Sequence, residues 1–293
     1  MDVCCGKENW NVVLVERNSK IIATLPFYKV KKRSLTLIMK PKLTQFMGIW
    51  IRYPQGQSYK KKLSFEKKII NELINKLPNF DDFKQSIQYT LTNWLPFYWN
   101  GFQQTTHYTY VIEDLTDLQK IYSNFKSSLI NRIKKAEKIV TIKDDLTIEQ
   151  FYEINKYAFK KSKRNIPYTY EFLKKLDEKC FKNKCRKILY AIDENGLIHS
   201  AIYLVWDVNS TYRLMSAYDP VFSKSGASAL LGWKAIQFAS TVSKRFDFEG
   251  SMLENIEERN RTFGAIQKPY FHLQKTNSNM LLTYRYIKSI FRK

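Results

Sequence analysis

A mixed α/β fold in two halves is predicted by three features of the sequence. The chain has 293 residues, more than a single domain usually holds. Its 44% hydrophobic and 26% charged residues are ordinary for a folded globular protein and supply ample material for a core. From residue 138 onward the apolar periodicity alternates between that of strands and that of helices, in the order β-α-α-β-β-β-α-β-α-β. Three strands in succession, then a helix and a parallel-type return, are the mark of a mixed sheet flanked by helices. Residues 1–118 are expected to form one domain and 119–293 a second.

The elements follow in order. Short β-rich runs at 11–16 and 21–25 are separated by Arg17-Asn-Ser-Lys20, a hairpin-like break. A helix is expected over 64–77, with Phe65, Ile69, Ile70, Leu73 and Ile74 at helical spacing, Ser64 as its cap and Pro78 as its stop. The aromatic-rich stretch from Asn93 to Phe102, broken by Pro96 and Gly101, precedes a strand at 105–112. It reads either as the lining of an acceptor cleft or as packed hydrophobic seam. Residues 123–138 return to helical spacing and end on Arg132, Lys134, Lys135 and Lys138.

Past that basic end the pattern is more regular. A strand at 139–142 leads into a helix opening on the capping pattern Thr147-Ile-Glu-Gln150, and a second helix follows Thr169. Strands are predicted at 187–192, 198–206 and 211–218, joined by Asp193-Glu-Asn-Gly196 and Asp207-Val-Asn-Ser210, which carry turn chemistry. A helix at 225–242, a strand at 245–249, a helix from Ser251 with Glu254 as its capping box, and a strand at 267–274 complete the order.

Composition narrows the function classes. No stretch approaches the ~20 apolar residues that span a bilayer, and residues 1–10 lack the basic start and apolar run of a secretory leader. Cys4, Cys5, Cys180 and Cys185 form two close pairs unsuited to a disulfide framework, and His107, His199 and His272 give no zinc spacing with them. A cytoplasmic protein with free thiols and no structural metal is expected. The net charge is +22, from 49 Lys and Arg against 27 Asp and Glu. That excess suits an anionic partner such as tRNA, a CoA phosphate or the surface of an anionic membrane. It is also spread along the chain and rich in Lys, as a merely compositional bias would be.

The order of elements, together with particular runs, resembles the GNAT acyltransferase fold. More closely, it is similar to the Fem-like, peptidyltransferase-like branch, in which two such domains sit in tandem. The runs are Leu129-Ile-Asn-Arg-Ile-Lys-Lys-Ala-Glu-Lys138, Ala217-Tyr-Asp-Pro220 leading into Gly226-Ala-Ser-Ala-Leu-Leu231, Phe246-Asp-Phe-Glu-Gly-Ser251, and Phe263-Gly-Ala-Ile-Gln-Lys-Pro-Tyr-Phe271. The likeness covers about residues 105–275, with a weaker echo in 10–55. It implies two GNAT-like domains, the N-terminal one degenerate because 1–110 contain no glycine-bearing helix start comparable to Ser225-Gly226.

The resemblance also implies a site. The donor's pyrophosphate would sit at the helix start formed by Ser225, Gly226, Ala227 and Ser228, next to Ala217. A helix N-terminus offers unpaired N–H groups and partial positive charge to an anion. The family's pattern places Arg or Gln where this chain has Ser223, and Gly or Ala where it has Ser228. Acyl transfer to an amine needs a proton acceptor and stabilised oxyanion. Alternation along 245–249 sets Arg245, Asp247 and Glu249 on one face. Glu249 is the first candidate and Asp247 the second, as the base or as the group that holds the acceptor's ammonium, with pairing to Arg245 or to a neighbouring strand as the structural alternative for Asp247. Tyr218 is placed to protonate a leaving group, or simply to pack.

The function expected is transfer of an acyl group, from acyl-CoA as co-substrate, to an amine on a small-molecule or cell-envelope precursor, with no covalently bound cofactor. The alternatives are an aminoacyl-tRNA-dependent peptidyltransferase, with Arg132, Lys134, Lys135 and Lys138 on tRNA, and a basic binding protein that retains the fold without the chemistry. Gly226→Glu is expected to block an anionic donor without disturbing the fold.

Overall fold

The computed structural model of the chain describes residues 1–250 and 252–291. These divide into two compact units, Met1–His107 with Pro269–Lys293, and Tyr108–Lys268. In chain order the first unit opens with a single helical turn, α1 (Asp2–Cys5), then β1 (Trp10–Arg17), β2 (Lys20–Lys32), β3 (Leu35–Met39), β4 (Trp50–Ile51), α2 (Tyr59–Asn75), β5 (Asp82–Ile87) and α3 (Leu95–Trp99). The chain leaves this unit within β6 (Gln103–Ile112) and builds the second from α4 (Leu118–Ser123), α5 (Ser127–Ala136), β7 (Thr141–Lys143), α6 (Ile148–Lys161), α7 (Tyr170–Lys182), β8 (Arg186–Ile192), β9 (Ile198–Trp206), β10 (Ser210–Tyr218), α8 (Ala227–Ala239), β11 (Arg245–Asp247) and α9 (Glu254–Arg261). It returns within β12 (Ile266–Thr276) and ends in α10 (Asn279–Ile290).

These units are not those expected from a break at 118/119. The tail belongs with the first unit because β12 pairs antiparallel with β5, Phe271 opposite Ile87 through Thr276 opposite Asp82. Each unit is a mixed α/β layer, as the sequence predicts. In the first, β1, β2, β3, β5 and β12 lie in that order and only β3 and β5 run parallel. Its core joins Val15, Leu25 and Ile38 of the sheet to Ile69, Ile70 and Leu73 of α2. Phe97 and Phe102 are part of that core, Phe102 meeting Phe83 edge-on at 5.1 Å, so these members of the aromatic stretch pack rather than line a cleft. The helix expected from Ser64 begins a turn and a half earlier: Ser58 caps α2 by accepting the Lys61 N–H, while Ser64 donates back to the Lys60 carbonyl.

In the second unit the strand order is β6, β11, β10, β9, β8, β7, antiparallel except for the β10–β11 pair. The capping box at Thr147 forms as predicted, the Thr147 N–H donating to Gln150 Oε1 at 3.0 Å and the Gln150 N–H to Thr147 Oγ1 at 3.2 Å. The basic helix expected over 123–138 is two helices, α4 and α5, separated at 124–126. The expected cap at Ser251 lies outside the described residues. The core gathers Leu129, Ile133 and Ala136 of α5 with Leu230, Leu231 and Ile236 of α8 under Leu189, Ile202 and Phe246 of the sheet. α8 is apolar nearly all round because it is covered on both sides.

Candidate functional site at the start of α8

Two irregularities open the second unit's sheet where β10 ends. The first is a bulge: pairing with β9 passes from Arg213–Leu204 directly to Met215–Tyr203, so Leu214 is one residue too many. The second is a parting of strands. β10 pairs with β11 only through Ser210–Tyr212, opposite Arg245–Asp247, and then runs on to Tyr218 paired with β9 alone. Asp219 turns the chain by accepting the Val221 N–H at 2.9 Å, and one 3-10 turn, Pro220–Phe222, brings it to α8.

Gly226 starts α8 in the left-handed conformation, φ 81° and ψ 0°. A Cβ there would lie 2.3 Å from the Arg132 carbonyl oxygen. Glycine is therefore demanded twice, by backbone angle and by the close crossing of α5. This corrects the expectation for Gly226→Glu: any side chain at this position drives into the α5 backbone, so the substitution attacks the fold itself.

Above the first turn of α8 lies a cavity of 240 Å³ lined by Gly226, Ala227, Ser228 and Ala229 together with Arg132, His199, Tyr218, Phe222, Ser223 and Arg259. His199 is buried and stacked on Phe222, ring centroids 3.9 Å apart, with Nε2 held by Asp193 Oδ2 at 3.1 Å. Its Nδ1 is buried without a partner among the described residues. Arg132 and Arg259 supply the cavity's charge. Neither is in a salt bridge among the described residues, and Arg259 Nε is buried and unpaired there. Burial pushes the Arg259 pKa down, the neighbouring Tyr218 acts the other way, and the like charge of Arg132 lowers it further. Two guanidinium groups beside a helix N-terminus make a place for an anion.

Beneath this cavity a buried polar chain runs through α9. Asn260, next to Arg259, accepts from Arg213 Nη2 at 2.6 Å and donates to the Glu249 carbonyl at 3.3 Å. Arg213 lies over the Phe248 ring, 5.0 Å from its centroid. Its pKa falls to about 9 because burial, then the charge of Arg259, outweigh the attraction of Glu249 and Asp247. Asp247 is 1% exposed. One of its oxygens accepts from Thr109 Oγ1 at 2.5 Å and from the Glu249 N–H at 2.9 Å, and the other is buried and unpaired. Burial dominates and raises its pKa to about 6, against the hydrogen bonds of Thr109 and Glu249 and the charge of Arg213.

The residues predicted for the site thus fall in two places. Tyr218, Gly226, Ala227 and Ser228 line the cavity. Ala217 is buried in β10 with its carbonyl accepting from Ser200, and Ser225 caps the Ala227 N–H at 3.2 Å. Asp247 and Glu249 belong to the buried polar chain, and they do not share a strand face as alternation suggested. β11 stops at Asp247 because Glu249 turns to φ 53°, and a Cβ on Gly250 would come within 1.6 Å of the Tyr108 carbonyl oxygen. Sequence reasoning missed Arg213, Arg259, Asn260, Thr109 and His199. Arg213 alone left a trace, as a charge among the apolar residues of a predicted strand.

Residues 123–251 match the acetyltransferase (GNAT) domain family. Among solved structures, FemX superposes with a TM-score of 0.66 at 10% identity, over 89% of this chain and 87% of its own. L-PGS from Bacillus licheniformis gives 0.54 at 11% identity, over 93% and 87%. A tandem GNAT protein from the clavulanic acid biosynthesis pathway, solved without AcCoA, gives 0.53 at 7% identity, over 92% and 84%. No curated protein matches the chain in sequence. Residues 123–251 thus match a GNAT domain over part of the chain, and the chain shares the fold of these tandem-GNAT structures. Among the described residues no helix is long and apolar enough to cross a membrane.

Proposed function

We propose that the chain is an N-acyltransferase whose donor is a phosphate-bearing thioester, acyl-CoA, seated at the start of α8. The observation that carries this reading is the pair of guanidinium groups, Arg132 and Arg259, lining the same cavity as the first turn of α8 with no carboxylate among its lining residues. The pattern of the family lacks its first Arg or Gln here, Ser223 standing in its place; Arg132 from α5 and Arg259 from α9 supply positive charge from elsewhere in the unit. The pyrophosphate of the donor meets the helix start, and the two arginines hold its charge.

The acyl group then points along the gap where β10 and β11 part. Glu249, half-buried in its turn, accepts the proton of the attacking amine, and Asp247 is a positioning residue that fixes this turn through the Glu249 N–H. The amine nitrogen forms its bond to the acyl carbon as the C–S bond breaks. Tyr218, half exposed on the cavity wall, gives a proton to the departing thiolate. Release of free thiol from acetyl-CoA in the presence of an amine tests the scheme. Tyr218→Phe should cut turnover by about 10²-fold or more while leaving donor affinity within a few-fold, and an unchanged rate would remove Tyr218 from the mechanism.

One observation favours aminoacyl-tRNA as donor instead. Lys134, Lys135 and Lys138 are exposed on or just beyond α5, the helix that contributes Arg132 to the cavity, and Lys135 Nζ donates to the Lys224 carbonyl at 2.9 Å in the loop before α8. A nucleic-acid donor would be drawn along that surface, and its contribution is separable through salt dependence.

A further inference from the structure

Independently of the reading above, we propose that α10 is an interfacial helix by which the first unit docks on an anionic phospholipid surface. The helix is held to its unit by one side only. Leu281 and Arg285 are half-buried, Arg285 donating to Asp82 Oδ2 at 2.7 Å and to Thr276 Oγ1, and no residue of α10 is fully buried. At about 100° per residue, Leu282, Tyr286, Ile290, Ile287, Met280 and Tyr284 occupy an arc of about 200° on the opposite side. All six are exposed, Tyr286 at 68%, and Phe291 just beyond the helix end is 81% exposed. An amphipathic helix ordinarily turns such a face to its own core; this one turns it to solvent.

Charge decides which occupant covers it. A second copy of the chain would bring another +22 against the first, whereas an anionic bilayer is complementary to it. The flanks of the arc agree. Lys288 borders it on one side, its Nζ 5.8 Å from the Tyr284 ring centroid. On the other side Leu282 lines a cavity of 410 Å³ with Lys84, Lys275 and Arg285, where Asp82 is the carboxylate in contact with Lys84 and Arg285. Apolar side chains and tyrosines between cationic flanks fit the boundary between headgroups and acyl chains.

Co-sedimentation of the full chain with vesicles tests this, using phosphatidylcholine alone and phosphatidylcholine mixed with phosphatidylglycerol. The chain should bind the mixed vesicles and retain part of that binding when salt screens the charges. Ile287→Glu with Ile290→Glu, both outside the core, should weaken it by about tenfold or more with an unchanged circular dichroism spectrum and melting temperature. Failure of the unaltered chain to bind the mixed vesicles would overturn the proposal. Equal binding by the double variant would overturn it too, by assigning attraction to diffuse charge. A dimer in sedimentation velocity that the double variant abolishes would give the face to a second copy instead.

Discussion

Asp247 shows how a single side chain couples the fold of this protein to its chemistry. Its carboxyl is raised from 3.8 to about 6 by burial, so the folded chain holds a proton that the unfolded chain has already lost between those values. The stabilisation linked to that proton is complete below about 3.8 and fades as pH rises through about 6, by up to about 3 kcal/mol for this shift. Asp247→Asn keeps an oxygen for Thr109 and the Glu249 N–H but cannot ionise. Urea denaturation at pH 5 and pH 8 should therefore show the unaltered chain losing stability relative to the variant as pH rises; parallel behaviour would mean that Asp247 ionises freely in the folded state. A carboxylate in the middle of a predicted strand was legible in the sequence. Its partners Thr109 and Arg213 were not, because they lie 138 and 34 positions away and only folding brings them together.

The pairing of α5 with α8 is where element-level physics bears most on function. The sequence named the glycine at the start of α8, since a helix start beside a strand end is a local pattern. It did not reveal that Gly226 also admits the Arg132 carbonyl, a contact spanning 94 residues. Gly226→Ala should accordingly destabilise the chain by about 2–4 kcal/mol, combining left-handed strain with overpacking. Thermal unfolding would register this, and a melting temperature equal to that of the unaltered chain would show that α5 can retreat at little cost. Capped helices such as α6 were readable because Thr147 and Gln150 carry the whole interaction within one turn. By contrast β11 ends two residues short of the strand that the sequence predicts. Alternation continues through Glu249 in the sequence, but the backbone turns to a positive φ there and Gly250 lies close against the Tyr108 carbonyl.

At the scale of the whole molecule, the GNAT layer order in the second unit was legible, and the division into units was not. The return of β12 to β5 joins segments some 190 positions apart, and nothing local distinguishes that strand from one staying with its own half. The net charge of +22 likewise acquires meaning only once residues are placed. If aminoacyl-tRNA is the donor, log affinity for charged tRNA should fall against log salt by about 0.7–0.9 per phosphate contact. Replacing Lys134, Lys135 and Lys138 together by Gln should then flatten the slope by about two or more; equal slopes would leave those residues to solvent. The central claim, that Arg132 and Arg259 make the start of α8 a donor-phosphate site, is tested most directly by calorimetric titration of CoA into the unaltered chain and into Arg259→Gln. Saturable binding that weakens by about tenfold or more in the variant is the predicted result, with its melting temperature preserved. CoA that fails to bind the unaltered chain, or binds Arg259→Gln equally well, would contradict it.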